Sequence, residues 1–207
     1  MARPLVIVFA RAPRYGTVKT RLAAEIGTAA ALRFYRTMLS GLIRRIRDDA
    51  RWETVVCVTP DSAADGRWPL RATAQRSGDL GRRMVRALRA AGARPAVIVG
   101  SDIPALDRAH IATAFVALRR RPFVLGPARD GGYWLIGARC GAQIAPKALD
   151  GVRWSSAYTL ADTRERLPQA TILDATLEDV DDGAAYRQFN QLMPRSASTR
   201  RSTSRSS

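Results

Sequence analysis

The chain has 207 residues, 46% of them hydrophobic, which is enough for one substantial globular core and excludes wholesale disorder. Its formal charge is +16, and no apolar run approaches the ~20 residues needed to span a bilayer. Cys57 and Cys140 form no CxxC pair, which argues against a disulfide framework or a cysteine-based zinc site.

Residues 4–9 are continuously apolar and β-branched, as expected of a central parallel strand covered on both faces. The run from Leu5 to Ala10 is shorter than the roughly 7–15 residues of a signal-peptide core and stops at Arg11, so a buried strand in a cytoplasmic protein is expected. A loop with Pro13 and Gly16 follows. From Thr28 to about Asp49, Leu32, Tyr35, Leu39, Leu42 and Ile46 recur at helical spacing. Thr54 to Thr59 reads as a second strand, in which Cys57 is a small buried hydrophobe, and Arg71 to Gln75 as a short third. Leu80, Met84, Leu88 and Ala91 mark an amphipathic helix ended by Gly92. A buried strand at Ala96 to Val99 leads into Gly100, Ser101 and Asp102.

A helix from about Asp107 to Arg119 precedes strands at Phe123 to Leu125 and Tyr133 to Ile136, spaced closely enough for a local mixed arrangement. A helix near 157–166, a strand at Thr171 to Leu173 and a helix from Gly183 to Met193 complete the pattern. Strands alternating with helices imply an α/β fold with a mainly parallel sheet. One domain over residues 1–193 is expected, with a disordered basic Ser/Arg tail over 194–207.

That tail carries four arginines and no acid, leaving +12 on the rest of the chain. Basic excess can serve nucleic acid, membrane surfaces or phosphorylated small molecules. Lys19 and Lys147 are the two lysines, every other cation being arginine, a ratio more typical of coding bias than of a selected partner. No recognition-helix or aromatic-interleaved basic motif accompanies the charge, so no specific nucleic acid is expected.

In open α/β sheets, ligands collect beyond the carboxyl ends of the strands. The loop FARAPRYGTVKTRL (9–22) places Arg11, Arg14, Lys19 and Arg21 around a Pro/Gly turn after the first strand. Tight-turn N–H groups with long cations closing over the oxygens are what phosphate recognition needs. The glycine spacing fits neither a Walker A loop nor a GxGxxG fingerprint. In GSDIPAL (100–106), Asp102 has two readings: a carboxylate holding Mg²⁺ or Mn²⁺ against a diphosphate, or a simple turn or helix cap. In GPARDGGYWLIG (126–137), Asp130, Gly131 and Gly132 spell a hairpin turn. Asp179 and Asp181 alternate with Val180, so on an extended segment both point the same way; they either complete a metal site or precede a helix N-terminus. His110, the single histidine, lies away from these loops, which argues against a His-based triad. Ser101, Ser155 and Ser156 lack a base and read as ligand hydrogen-bond donors.

With VKTRL (18–22), GDLGRRM (78–84), GSDIPAL, GPARDGGYWLIG, Trp154-Ser155-Ser156 and DVDD (179–182) in order, the chain resembles a bacterial family of glycosyltransferase-A-like proteins, DUF2064. Its members are labelled arsenosugar-biosynthesis-type glycosyltransferases; phospholactate guanylyltransferases and molybdenum-cofactor nucleotidyltransferases are more distant relatives. The resemblance spans about residues 5–190. Arg11 stands where many members have lysine, Ser156 where threonine is usual and Ile103 where cysteine is frequent.

The resemblance implies a three-layer α/β/α sandwich, a mostly parallel sheet of the nucleotide-diphospho-sugar transferase type, binding nucleotide in its first half and acceptor in its second. It implies that Arg11, Lys19 and Arg21 face the nucleotide phosphates and that Asp102 binds the metal, with Asp179 or Asp181 supplying a second carboxylate. Gly131, Gly132, Tyr133, Trp154 and Ser155 would shape the site of a small-molecule acceptor. The expected activity is metal-assisted transfer from a nucleotide-sugar, with Asp130 or a late aspartate taking the acceptor proton. The alternatives are a nucleotidyltransferase releasing pyrophosphate from an NTP, a nucleic-acid-binding protein and a non-catalytic binding module.

Overall fold

The computed structural model describes residues 2–192. The opening apolar run forms β1 (Leu5–Arg11), followed by α1 (Thr20–Ile26), α2 (Thr28–Ile46), β2 (Glu53–Thr59), β3 (Ala72–Ala74), α3 (Leu80–Arg89) and β4 (Ala96–Gly100). The chain continues through α4 (Arg108–Arg120), β5 (Phe123–Pro127), β6 (Tyr133–Ala138), α5 (Thr159–Arg166), β7 (Ala170–Ile172) and α6 (Gly183–Leu192). The basic Ser/Arg segment 194–207 and Met193 lie outside the described residues.

All seven strands form one sheet in the order β3-β2-β1-β4-β6-β5-β7. Every pairing is parallel except those of β6, which runs antiparallel to both β4 and β5. The closely spaced strands around the Asp-Gly-Gly turn therefore make the local mixed arrangement read from their spacing.

Alternation along the strands builds the three layers. Val6 and Val8 of β1 face one side, where they join Leu39, Leu42 and Ile46 of α2 and Ile111 and Leu118 of α4. Leu5 and Ile7 face the other, against Met84, Val85 and Leu88 of α3. Both faces of the central strands are thus dry, which is why β1 and β4 read as unbroken apolar runs rather than alternating ones. Cys57 sits on the α3 side at 3% exposure, a buried hydrophobe.

Two elements differ from the sequence reading. Residues 20–26, read as loop, form α1, a seven-residue helix separated from α2 by Gly27 at φ 86°. One buried leucine and no side-chain cap leave so short a helix without a periodic signature. Helix α2 ends at Ile46 rather than Asp49, because the Trp52 indole and the Thr54 hydroxyl both donate to the Ile46 carbonyl.

The parallel β1 and β4 emerge on the same edge, with Phe9 paired to Gly100, so the Arg11 loop and Ser101-Asp102 start side by side. The reversal of β6 returns the β5–β6 turn, with Asp130, to that edge. A bridge from Ala128 to Leu177 then leads the acidic segment 178–182 across it. No helix among the described residues is long and apolar enough to cross a membrane.

Candidate functional site

Two adjoining cavities of about 480 and 360 Å³ open at this carboxyl edge. They share Phe9, Arg21, Leu80, Gly100, Asp102 and Asp181, so the two aspartates stand on the divide between the lobes.

Four cations line the first lobe: Arg11, Lys19, Arg21 and Arg83. Arg11 and Arg21 are exposed and have no carboxylate within ion-pair distance among the described residues. Lys19 is different. Its side chain is 4% exposed, and its ammonium donates to Asp102 Oδ2 at 2.6 Å and also to Asp181 Oδ1. Burial alone pushes the Lys19 ammonium down, but the two carboxylates outweigh it and hold the pKa above its ordinary value. The structure thus places this lysine against acids, whereas Arg11 and Arg21 meet no carboxylate among the described residues.

Asp102, Asp179 and Asp181 each offer a carboxylate oxygen, and these oxygens lie within 4.8 Å of one another. Val180 is buried between the last two, and its N–H donates to the Asp102 carbonyl at 3.3 Å, which ties the late segment to the β4 loop. Asp182 and Glu25 fix the next turn, the Glu25 carboxylate accepting the Gly183 N–H at 2.8 Å and the Asp182 carboxylate that of Ala185 at 2.9 Å. With one lysine against three acids, the cluster holds excess negative charge. Burial and the neighbouring Asp181 and Asp102 charges push Asp179 up to about 7, while Lys19 overcomes burial to hold Asp181 low. Hard oxygen ligands with surplus negative charge are the donor set of a divalent cation, and ligands on one Mg²⁺ lie at most roughly 4.2 Å apart, so little contraction is needed.

The second lobe holds most of the residues expected to shape it. Gly132, Tyr133, Trp154 and Ser155 line it together with Asp130, while Gly131 lies just behind. Gly131, at φ 85°, turns the hairpin and presses against Ala157, where an added Cβ would sit 2.3 Å from the carbonyl oxygen. Asp130 accepts the Gly132 N–H at 2.9 Å, the hairpin turn its sequence spells. His110 packs edge-on to Trp134 and closes a capping box with Asp107, which leaves it a helix-start residue.

Two residues that sequence reading passed over also line the first lobe. Tyr35 of α2 accepts the Arg11 N–H and donates between the Arg11 carbonyl and Ser101 Oγ, all at 3.0–3.1 Å, joining the ends of β1 and β4. Gln75, just beyond β3, is 5% exposed and donates through Nε2 to the Ala10 and Cys57 carbonyls. Because both partners are acceptors, the amide orientation is fixed, and Oε1 carries no protein partner among the described residues. A buried glutamine at the mouth of a strand was the available signal. The three non-glycine residues with positive φ, Lys19 (49°), Arg76 (66°) and Ser155 (55°), all fall on or beside these lobes. Such strain, of order 1–3 kcal/mol each, concentrates at functional sites.

The sheet order and the cleft along its carboxyl edge define a protein of the nucleotide-diphospho-sugar transferase fold. A provisionally named nucleotide-diphospho-sugar transferase from Desulfovibrio desulfuricans G20 is 28% identical, with a TM-score of 0.83 over 98% of this chain and 92% of its own. The chain belongs to the DUF2064 family, "Uncharacterized protein conserved in bacteria", whose profile matches residues 42–156. That span contains four of the quoted motifs; VKTRL and DVDD lie outside it. Likeness of fold extends to CMP:2-keto-3-deoxy-manno-octonic acid synthetase complexed with CTP, 16% identical with a TM-score of 0.58 over 93% of this chain and 98% of that one. It extends also to the manganese complex of Rv0371C from Mycobacterium tuberculosis H37Rv, 13% identical with a TM-score of 0.56 over 93% of this chain and 100% of that one. No curated protein matches the chain.

Proposed function

We propose that the protein is a divalent-cation-dependent transferase that moves a glycosyl group from a nucleotide-sugar to a small acceptor. The observation that carries this reading is the position of Asp102 and Asp181 on the divide between a cationic lobe and an aromatic one. A diphosphate lying in the first lobe meets Arg11 and Arg21, and its sugar projects past the carboxylates into the second. Asp102, Asp179 and Asp181 would hold Mg²⁺ or Mn²⁺, which would supply positive charge beside the departing diphosphate. Lys19 sets the cluster in place and offsets part of its negative charge.

Transfer forms a bond from the acceptor hydroxyl oxygen to the anomeric carbon and breaks the bond from that carbon to the diphosphate oxygen, which leaves with the electron pair. The hydroxyl proton passes to a carboxylate, a role we assign to Asp130, which lines the second lobe and accepts the Gly132 N–H on one oxygen. Gln75 Oε1, in the wall of the first lobe, would accept an N–H from the edge of the nucleobase. The provisional name of the Desulfovibrio desulfuricans relative and the manganese in the Rv0371C structure agree with this reading.

Nucleotidyl transfer is the second reading, favoured by one observation: beside the ion-paired Lys19, three arginines in the first lobe suit a triphosphate. There a phosphorylated substrate attacks the α-phosphorus of an NTP and pyrophosphate leaves. Incubation with nucleotide-sugars and NTPs in the presence of Mn²⁺ separates the readings by product: nucleoside diphosphate for the first, pyrophosphate for the second. Absence of both products, together with no thermal stabilisation by any nucleotide, removes both.

A further inference from the structure

The second lobe restricts its occupant. Four carboxylates face it (Asp102, Asp130, Asp179 and Asp181), and Arg21, at the boundary with the first lobe, is its one cation among the described residues. A divalent cation held by the three clustered acids would, together with Lys19, balance their charge and still bring no second basic residue into the lobe. Its walls are apolar: Met84 of α3, Ile98 of β4, and Tyr133 and Trp154 beside them.

The polar groups in these walls are turned away or already used. The Tyr133 hydroxyl is buried beside that of Thr163, which does not line the lobe, so the ring and not the oxygen meets the cavity. Ser156 Oγ donates to the Arg153 carbonyl and accepts the Tyr158 N–H, and Thr159 Oγ1 is held by the same loop. Ser155 keeps a hydroxyl with no partner among the described residues, and Asp130 keeps one carboxylate oxygen.

A phosphate entering such a lobe would lose its hydration against hydrocarbon and gain at most Arg21 and a share of a cation already engaged by the donor diphosphate, an unfavourable exchange. An aromatic or aliphatic body would bury apolar surface, with one hydroxyl reaching Asp130. From the proposed transferase reading, which this deepens, we infer that the acceptor is an uncharged hydroxyl compound with an apolar or aromatic body, and not a phosphorylated one.

The test pairs neutral probes, phenyl glucoside and benzyl alcohol, with phosphorylated ones, glucose 1-phosphate and benzyl phosphate. Each is titrated against the full chain in Mn²⁺ and a nucleoside diphosphate, reading tryptophan fluorescence, with Trp154→Phe as the control for the site. Neutral probes should bind at least about tenfold more tightly, with the quench lost in Trp154→Phe. Equal or tighter binding of the phosphorylated probes overturns the inference, as does no quench by any probe up to its solubility limit. Thermal stabilisation by the nucleoside diphosphate with Mn²⁺ is measured alongside. If that shift is present, failure of the probes counts against the acceptor class alone; if it is absent, the transferase reading itself has failed.

Discussion

Lys19 and Asp102 are 83 residues apart in sequence, and their side chains meet at 2.6 Å, with the lysine 4% exposed and the aspartate 27%. The lysine sits at the N-cap of α1 in a left-handed conformation, φ 49° and ψ 48°, which an L-residue adopts at a cost of roughly 1–2 kcal/mol. A backbone held in that state to deliver one ammonium to two carboxylates indicates that the position of the charge matters more than the comfort of the helix start.

Removing that ammonium tests the arrangement. Lys19→Met keeps most of the buried stem and leaves Asp102 and Asp181 facing each other and Asp179 with no counter-charge. The metal-free protein should lose about 1–3 kcal/mol, the range for a buried hydrogen-bond partner left unmet. Mn²⁺ should restore part of that loss, because the cation replaces the missing charge. A melting temperature unchanged from that of the parent, with and without Mn²⁺, would show that Lys19 does not support the cluster.

Asp179 gives a pH dependence of stated sign. Its carboxyl sits at about 7 in the folded chain against an ordinary 3.8, through burial and the charges of Asp181 and Asp102. The folded state therefore holds a proton that the unfolded chain has released, and stability from this group is full below about pH 4 and lost as pH rises to about 7. The metal-free protein should melt lower at pH 8 than at pH 6, and Asp179→Asn should remove that difference. Bound Mn²⁺ must displace the same proton, so its affinity should climb through the same window, by up to about tenfold per pH unit. A pH-independent Mn²⁺ affinity between pH 5.5 and 8 would contradict this account.

Asp102→Ala bears directly on the proposed activity. It removes one of three clustered oxygens and one of the two partners of Lys19. Turnover should fall by at least about a hundredfold, the scale of losing one electrostatic support of a charged transition state. Circular dichroism should remain that of the parent, since Asp102 lies in a loop beyond β4 and packs no core. Wild-type turnover in this variant would dispose of the metal site.

Much of this was legible in the chain. β1 and β4 announce themselves because both faces of each are dry, and the loops that leave them carry the site because strand ends collect ligands. The Asp-Gly-Gly turn and the alternation of Asp179 and Asp181 around Val180 read correctly at the level of local geometry. What could not be read was pairing across long separations. That Lys19 and Asp102 share one cleft follows from the strand ends that carry them, but nothing local to Lys19 shows that its ammonium pairs with residues 102 and 181 rather than with a ligand's phosphate. Gln75 and Tyr35 escaped for a related reason: each acts through carbonyls and hydroxyls on other strands, and neither belongs to a charged motif. Helix α1 was missed because seven residues with one buried leucine carry no period.

Gln75 Oε1 is proposed to accept from the nucleobase, while Nε2 holds the Ala10 and Cys57 carbonyls. In Gln75→Glu the carboxylate cannot donate to either carbonyl, so both acceptors lose their partner and the variant should be destabilised by about 1–3 kcal/mol. Gln75→Met also leaves the carbonyls unmet but buries no charge, so it should fold better than Gln75→Glu and still bind nucleotides more weakly. Its losses should differ between bases, whereas tripolyphosphate, which has no base, should bind as it does to the parent. Equal losses for all nucleotides and for tripolyphosphate would assign Gln75 to the scaffold alone.

Gly81 separates the two lobes by experiment. It lies in the first turn of α3, where an added Cβ would stand 2.6 Å from the Trp154 ring and 3.0 Å from Leu149 Cβ. Real Cβ atoms do not approach so closely, so Gly81→Ala must push the indole, and the indole forms a wall of the second lobe. The helix itself gains from alanine, by about 1 kcal/mol in an unhindered interior, which offsets part of the packing cost. Because Trp154 does not line the first lobe, nucleotide-dependent stabilisation should persist within about twofold of the parent. Transfer to an acceptor should fall at least about tenfold through a raised KM, while hydrolysis of the donor by water continues, since water does not need the aromatic wall. A parallel loss of nucleotide binding would mean that the two lobes are one site, and that Trp154 serves the donor as much as the acceptor.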